Sequence, residues 1–181
     1  MAFFSKYWQP LMKLINATKQ DLPLMMHIIK DAQDLLAEQN IDQWQNGYPT
    51  EKILLNDIQN NESYIIKSDN NTPIATAMFS LRGEPTYSKI EGQWMRDNQP
   101  SYGVIHRMAV SKEFRGKGIA KFIFKEREEF LFASKIKSMR IDTHQDNAGM
   151  LSLLKHLKYS YCGVIYLQNG DKRLAFEKII K

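Results

Sequence analysis

The segment from Tyr102 to Phe130 constrains the fold more than any other part of the chain. Tyr102 to Val110 is a mostly apolar run that predicts a strand, closing on Met108-Ala109-Val110. Ser111 to Phe114 turn the chain and Arg115-Gly116-Lys117-Gly118 follow. Ile119, Phe122, Ile123 and Phe130 then recur on one face of a helix. A strand feeding a turn and an amphipathic helix is the building unit of α/β folds. Gly116 and Gly118 let the backbone come close to a ligand, and the N–H groups that open a helix converge on one point. Such a turn suits a phosphate, helped by the helix dipole and adjacent cations.

Charge agrees with that reading. Nine of the 25 Lys and Arg residues but only four of the 20 Asp and Glu residues lie between Lys112 and Arg140, so this segment carries the whole net charge of +5. A solvated helix face would hold the same lysines, but the glycine turn at its head favours an anionic ligand. Other phosphate loops fit poorly. A Walker loop needs Lys and then Ser or Thr after its last glycine, and Gly118 is followed by Ile119. The dinucleotide fingerprint needs a third glycine and a ribose-binding acid, and neither is in place.

The remaining chain reads as one α/β domain of ordinary composition, 181 residues long with 43% apolar residues. No run approaches the ~18 apolar residues of a membrane span, which excludes an integral membrane protein. The lone Cys162 forms no internal disulfide and no Cys/His cluster has metal-ligand spacing, so no metal and a reducing, cytoplasmic home are expected. Residues 1–11 are apolar and aromatic without the marks of a signal peptide, and read as an extension ahead of a domain spanning 12–181.

Within that domain a strand at Lys13 to Ile15 precedes a helix capped by Thr18, with Asp21 three residues on. A short helix starts at Thr50, and Tyr64 to Ile66 and Ile74 to Leu81 form a hairpin. Arg82 to Ser101 is a long loop containing Tyr87 and Trp94, of a length that is commonly functional. Met139 to Asp142 is a strand, Asn147 opens a helix, and Asn169-Gly170 turns a closing hairpin.

From Arg115 the chain matches the pattern [QR]-x-x-G-x-[GA], with Gly118 and Ala120 at the small positions. With the strand before it, the helix after it, Asn147 and the final hairpin, the chain resembles the GNAT superfamily of N-acetyltransferases over about residues 12–181. The resemblance implies a mixed, curved central sheet with a V-shaped split, flanked by helices. It implies acetyl-CoA as co-substrate, held at its pyrophosphate by the backbone of Arg115, Gly116, Lys117, Gly118, Ile119 and Ala120. Met108, Ala109 and Val110 would pair with the pantetheine arm as an added strand, and an N–H near Val110 would polarise the thioester carbonyl. Asn147 would touch the coenzyme or serve as a plain N-cap.

The implied reaction is direct attack of a primary amine, on a small molecule or a peptide, which needs a base and an acid. Many relatives place a tyrosine seven residues after the Asn. Leu154 stands there, so Tyr159 is the substitute acid, with Tyr161 behind it. His106 is the first candidate for the base, because strand alternation sets it on the face of Met108 and Val110. Glu84 and Glu91 are rivals. Trp44, Tyr48, Glu84 and Trp94 would line the acceptor pocket. Relatives often dimerise, and a homodimer stays open. Leu154 also keeps open a non-catalytic acyl-CoA-binding module on the same fold. A nucleic-acid partner is not expected, since no recognition helix, zinc site or RNA-binding signature accompanies the basic segment.

Overall fold

The computed structural model describes residues 12–96 and 101–181, so the extension read at 1–11 lies outside the described residues. In chain order the elements are β1 (Leu14–Asn16), α1 (Leu22–Glu38), α2 (Glu51–Gln59), β2 (Ser63–Lys67), β3 (Pro73–Ser80) and β4 (Glu91–Gly92). β5 (Gly103–Val110), α3 (Ile119–Ala133), β6 (Ser138–Thr143), α4 (Ala148–His156), β7 (Ser160–Tyr166) and β8 (Lys172–Ile179) complete them. The strands form one mixed sheet of eight in the order β1-β2-β3-β5-β6-β8-β7-β4. This is a single α/β domain, its sheet flanked by four α-helices.

One pairing in this sheet differs from the rest. β5 and β6 run parallel and are in register only at Gly103↔Met139 and Val104↔Arg140. Past those two residues the strands separate, which opens the sheet into a V between its two leaves. Gly103 holds the closed end because nothing larger fits: a Cβ there would lie 2.8 Å from Leu131 and 2.9 Å from Phe79.

Packing follows the two faces of the sheet. α3 and α4 cover one face through Ile119, Ile123, Phe124, Leu131 and Leu154, and the side chains of Ile123, Phe124, Leu131 and Leu154 are fully buried. Each contributes about 1.5–3 kcal/mol through burial. Phe130, expected on that inner face, is 41% exposed and meets Phe79 edge-on, because the inward stripe runs through Phe124 and Leu131 instead. α1 and α2 cover the other face through Met25, Ile28, Ile29 and Leu54.

Several local expectations shift. Thr18 does not cap α1: its N–H and hydroxyl both donate to Asp21 at 2.9 and 2.7 Å, forming a turn ahead of the helix. Thr50 does cap α2, its hydroxyl accepting from the Ile53 N–H. The long loop contains a 3-10 turn at Pro85–Ser88 and the short strand β4, which extends the sheet beside β7.

The most consequential shift is inside β5. Arg107 adopts φ +49°, and the register with β3 slips, Met78 facing His106 but Thr76 facing Ala109. This is a β-bulge, and a bulge reverses the alternation of the residues beyond it. Cross-strand partners share a face, so His106 lies with Met78 and Ala109 with Thr76, while Val110 lies with Ala75 on the face of α3. His106 is therefore not on the face of Met108 and Val110, as uninterrupted alternation requires; both of those pack against the α3 core.

Candidate active site

A cleft of about 930 Å³ occupies the opening between β5 and β6. Its outer end is the turn into α3. Gly116 and Gly118 have φ +74° and +79°, a left-handed backbone that other residues adopt at a cost, and the space beside each is open. The first bond of the helix runs from the Phe122 N–H to the Gly118 carbonyl at 3.0 Å, and no amide from 115 to 121 donates to a backbone or side-chain acceptor among the described residues. These donors and the helix dipole aim at one anion-sized space. The Arg115 side chain is used otherwise: it donates to the Asp31 carbonyl at 2.6 Å and to the Val110 carbonyl at 3.2 Å, tying the turn to α1 and β5. The Lys117 ammonium stands 4.8 Å over the Phe114 ring. On the far wall Asn147 caps α4, accepting from the Met150 N–H at 3.0 Å, while its amide donates across the cleft to Gln43.

The inner end carries a titratable cluster. His106 lies between two carboxylates, with Nε2 3.3 Å from Glu84 Oε2 and Nδ1 3.7 Å from Asp142 Oδ1. The Glu84 contact is off-line for a hydrogen bond, so Nε2 is buried without a partner among the described residues. Burial works to raise the Glu84 carboxyl, but His106 and the Thr86 N–H and hydroxyl outweigh it and pull it down to about 2. Tyr87 donates to Asp142 at 2.7 Å; burial, then the Asp142 charge, push its phenol well above the usual range, so it remains a donor. Beside the cluster the bulge residue Arg107 clasps Asp57 of α2 through Nε at 2.7 Å and Nη2 at 2.9 Å, and donates to the Tyr48 hydroxyl at 2.7 Å. Burial raises both the Asp57 carboxyl and the Tyr48 phenol. The bulge that aims His106 is thus fastened from the α2 side.

The acetyltransferase (GNAT) family model matches residues 29–159. The chain belongs to the GNAT acetyltransferase family. A GNAT acetyltransferase from Streptococcus agalactiae is 32% identical, with 94% of this chain and 96% of that one aligned at a TM-score of 0.83. Two distant structures share the fold. The Escherichia coli ribosomal-protein-S18-alanine N-acetyltransferase is 12% identical, with 94% and 95% of the two chains aligned at a TM-score of 0.64. A chain of the NatC complex bound to Gag peptide and CoA is 14% identical, with 94% and 99% aligned at 0.68. No curated protein matches the chain.

The GNAT cleft gathers most of the residues named from sequence. His106, Met108, Ala109, Val110, Arg115, Gly116, Gly118, Ile119, Ala120, Asn147, Trp44, Tyr48 and Glu84 border it. Of these, Ala109 turns its methyl into the α1 core and offers only backbone. Trp44 is held at φ +67° with its ring 6.4 Å from that of Tyr48, two aromatic walls on one side of the opening. Three residues lie elsewhere. Lys117 is at the turn but borders solvent. Trp94 is 5% exposed, its indole N–H donating to the Tyr87 carbonyl, because it fills the core beneath the long loop. Tyr159 does not reach the cleft: it is buried against Phe124 and its hydroxyl donates to Glu128 at 3.0 Å. Tyr161 is exposed on Phe176, and Glu91 accepts from Tyr166 at the sheet edge. Asp142, Arg107 and Asp57 were not singled out from sequence, and Tyr87 only as an aromatic of the long loop. Charges at Arg140 and Asp142, alternating with Met139 and Ile141 in a buried strand, were the available signal. Among the described residues no group of His, Cys, Asp and Glu could hold a metal, and no helix is long and apolar enough to cross a membrane.

Proposed function

We propose that residues 12–181 form an N-acetyltransferase that moves the acetyl group of acetyl-CoA to a primary amine by direct attack, in the cytoplasm, with residues 1–11 as an extension. The observation that carries this reading is the opened β5–β6 seam, with unpaired amides at one end and His106 between carboxylates at the other. The free donors and cleared space at Gly116 and Gly118 fit a diphosphate, and the unpaired edge of β5 fits an extended arm. Acetyl-CoA, when bound, supplies an activated carbonyl. An ammonium cannot attack it, so His106 takes the amine proton, while Glu84 and Asp142 steady the imidazolium that results. An N–H near Val110 polarises the carbonyl oxygen. Trp44 and Tyr48 flank the incoming amine. A peptide amine stays in the acceptor set beside small amines, since one fold neighbour is a ribosomal-protein-alanine N-acetyltransferase and another is bound to a peptide and CoA.

Release of free thiol from acetyl-CoA, assayed against polyamines, amino acids and peptides, tests the reading. Acetylation of at least one class is expected. Coenzyme binding with no thiol release from any amine would leave the non-catalytic module, which Leu154 favours by placing hydrocarbon where relatives keep a hydroxyl. Gly118→Glu tests the phosphate site: coenzyme affinity in calorimetric titration should drop at least about 100-fold with folding retained, since charge and bulk enter the cradle. Unchanged affinity would refute the assignment.

A further inference from the structure

Thr143, the last residue of β6, is 1% exposed, yet its hydroxyl has no hydrogen-bond partner among the described residues. An unsatisfied buried hydroxyl costs about 1–3 kcal/mol. Two other buried hydroxyls of the sheet, by contrast, are engaged: Ser138 donates to Glu177 and Ser80 to Glu62. The place of Thr143 in the sheet explains its lack of a partner. On one side Thr143 pairs with Leu174 of β8; on the other, pairing with β5 has already ended at Arg140, so Thr143 borders the cleft. Alternation along β6 puts it on the face of Met139 and Ile141, both in the α3 core. From the opposite wall Met108, turned by the Arg107 bulge, packs against that same core. Along β5, Met108 lies between His106 and the glycine turn. Thr143, with its orphan hydroxyl, therefore borders the stretch of cleft that joins the base to the phosphate cradle.

We propose that the Thr143 hydroxyl is the hydrogen-bond donor to the sulfur that departs in acetyl transfer, an assignment that rests on the N-acetyltransferase reading above. The amine nitrogen forms its bond to the carbonyl carbon, the C–S bond breaks, and sulfur keeps that electron pair. The surplus amine proton goes to His106. The threonine keeps its own proton and stabilises the anionic sulfur by donating to it. The two positions expected to supply an acid do not compete for the role, since Leu154 is a fully buried hydrocarbon and the Tyr159 hydroxyl is committed to Glu128.

Thr143→Val, which trades the hydroxyl for a methyl group, and Thr143→Ser, which keeps it, test the assignment. The free Val variant should melt no lower than the wild type, because it loses an unpartnered group. Binding of CoA and of desulfo-CoA, which lacks the thiol, is compared by calorimetric titration across pH. Wild type and the Ser variant should prefer CoA increasingly as its thiol ionises, and the Val variant should lose that preference. Its kcat should fall about 10–100-fold with little change in KM for acetyl-CoA. Retention of the preference and of kcat in the Val variant would overturn the proposal, as would equal weakening of both ligands, which marks a hydroxyl that only seats the arm. Wild-type protein that binds neither ligand would instead bring down the functional reading itself.

Discussion

Two buried charge clusters stand on the same face of β6, two residues apart, and they are built to opposite rules. At the closed end of the split, Glu177 is fully buried and both its oxygens are occupied: Ser138 and Arg140 donate to one, the N–H groups of Met95 and Arg96 to the other. Arg140 in turn lies between the rings of Trp94 and Tyr102, 4.3 and 4.1 Å from their centroids, and donates to the Arg96 carbonyl. Every group has a fixed partner, so the cluster bolts the long loop to the sheet. At the open end, His106 lies between Glu84 and Asp142 and neither ring nitrogen makes a hydrogen bond among the described residues. A saturated network holds a fold; one left unsaturated beside a cleft has something left to bind.

The largest effect that would separate the two is on stability. Glu177→Ala leaves Arg140 buried without its counter-charge and should cost about 3–5 kcal/mol, read as a lowered urea midpoint. Activity per folded molecule should survive. His106→Ala should do the reverse, lowering kcat about 10²–10⁴-fold while changing stability by under about 1 kcal/mol and leaving coenzyme affinity alone. If both variants lose stability equally, the contrast between the clusters is wrong. Glu84→Gln has the smallest expected effect and sharpens the picture through pH. The Glu84 carboxyl is depressed from 4.5 to about 2 in the fold, so its stabilisation is complete above pH 4.5 and fades as pH falls through 2. The Gln variant should lose the part of the acid destabilisation that falls in this window, measured by thermal melts across pH; an unaltered profile would mean that Glu84 does not hold His106 in place.

Much of this was legible in the amino-acid sequence because it rests on local rules. The Arg115–Ala120 turn is set by glycines that need left-handed backbone, and α2 by a threonine cap, so both could be read in place. Residues such as Tyr159 and Trp94 were misplaced because an aromatic with a polar tip reads alike in a core and in a pocket; only tertiary packing directs the Tyr159 hydroxyl to Glu128 and the Trp94 indole to the Tyr87 carbonyl. The face of His106 was lost for a different reason. A bulge at Arg107 leaves no local mark, being held by Asp57, fifty residues earlier in the chain. Asp142 meets His106 across strands that touch at only two positions, a pairing no spacing announces.

The crowded position of Gly103 has a mechanical consequence. Where β5 first meets β6, at the closed end, Leu131 and Phe79 press against the spot a side chain would fill. Past Val104, β5 runs six more residues, at about 3.3 Å each, alongside the opening. The molecule is a pair of tweezers whose pivot is an absent carbon atom. How widely the tips stand apart is decided at the pivot, so a single added methyl group there would be felt as leverage at the far end of the arms.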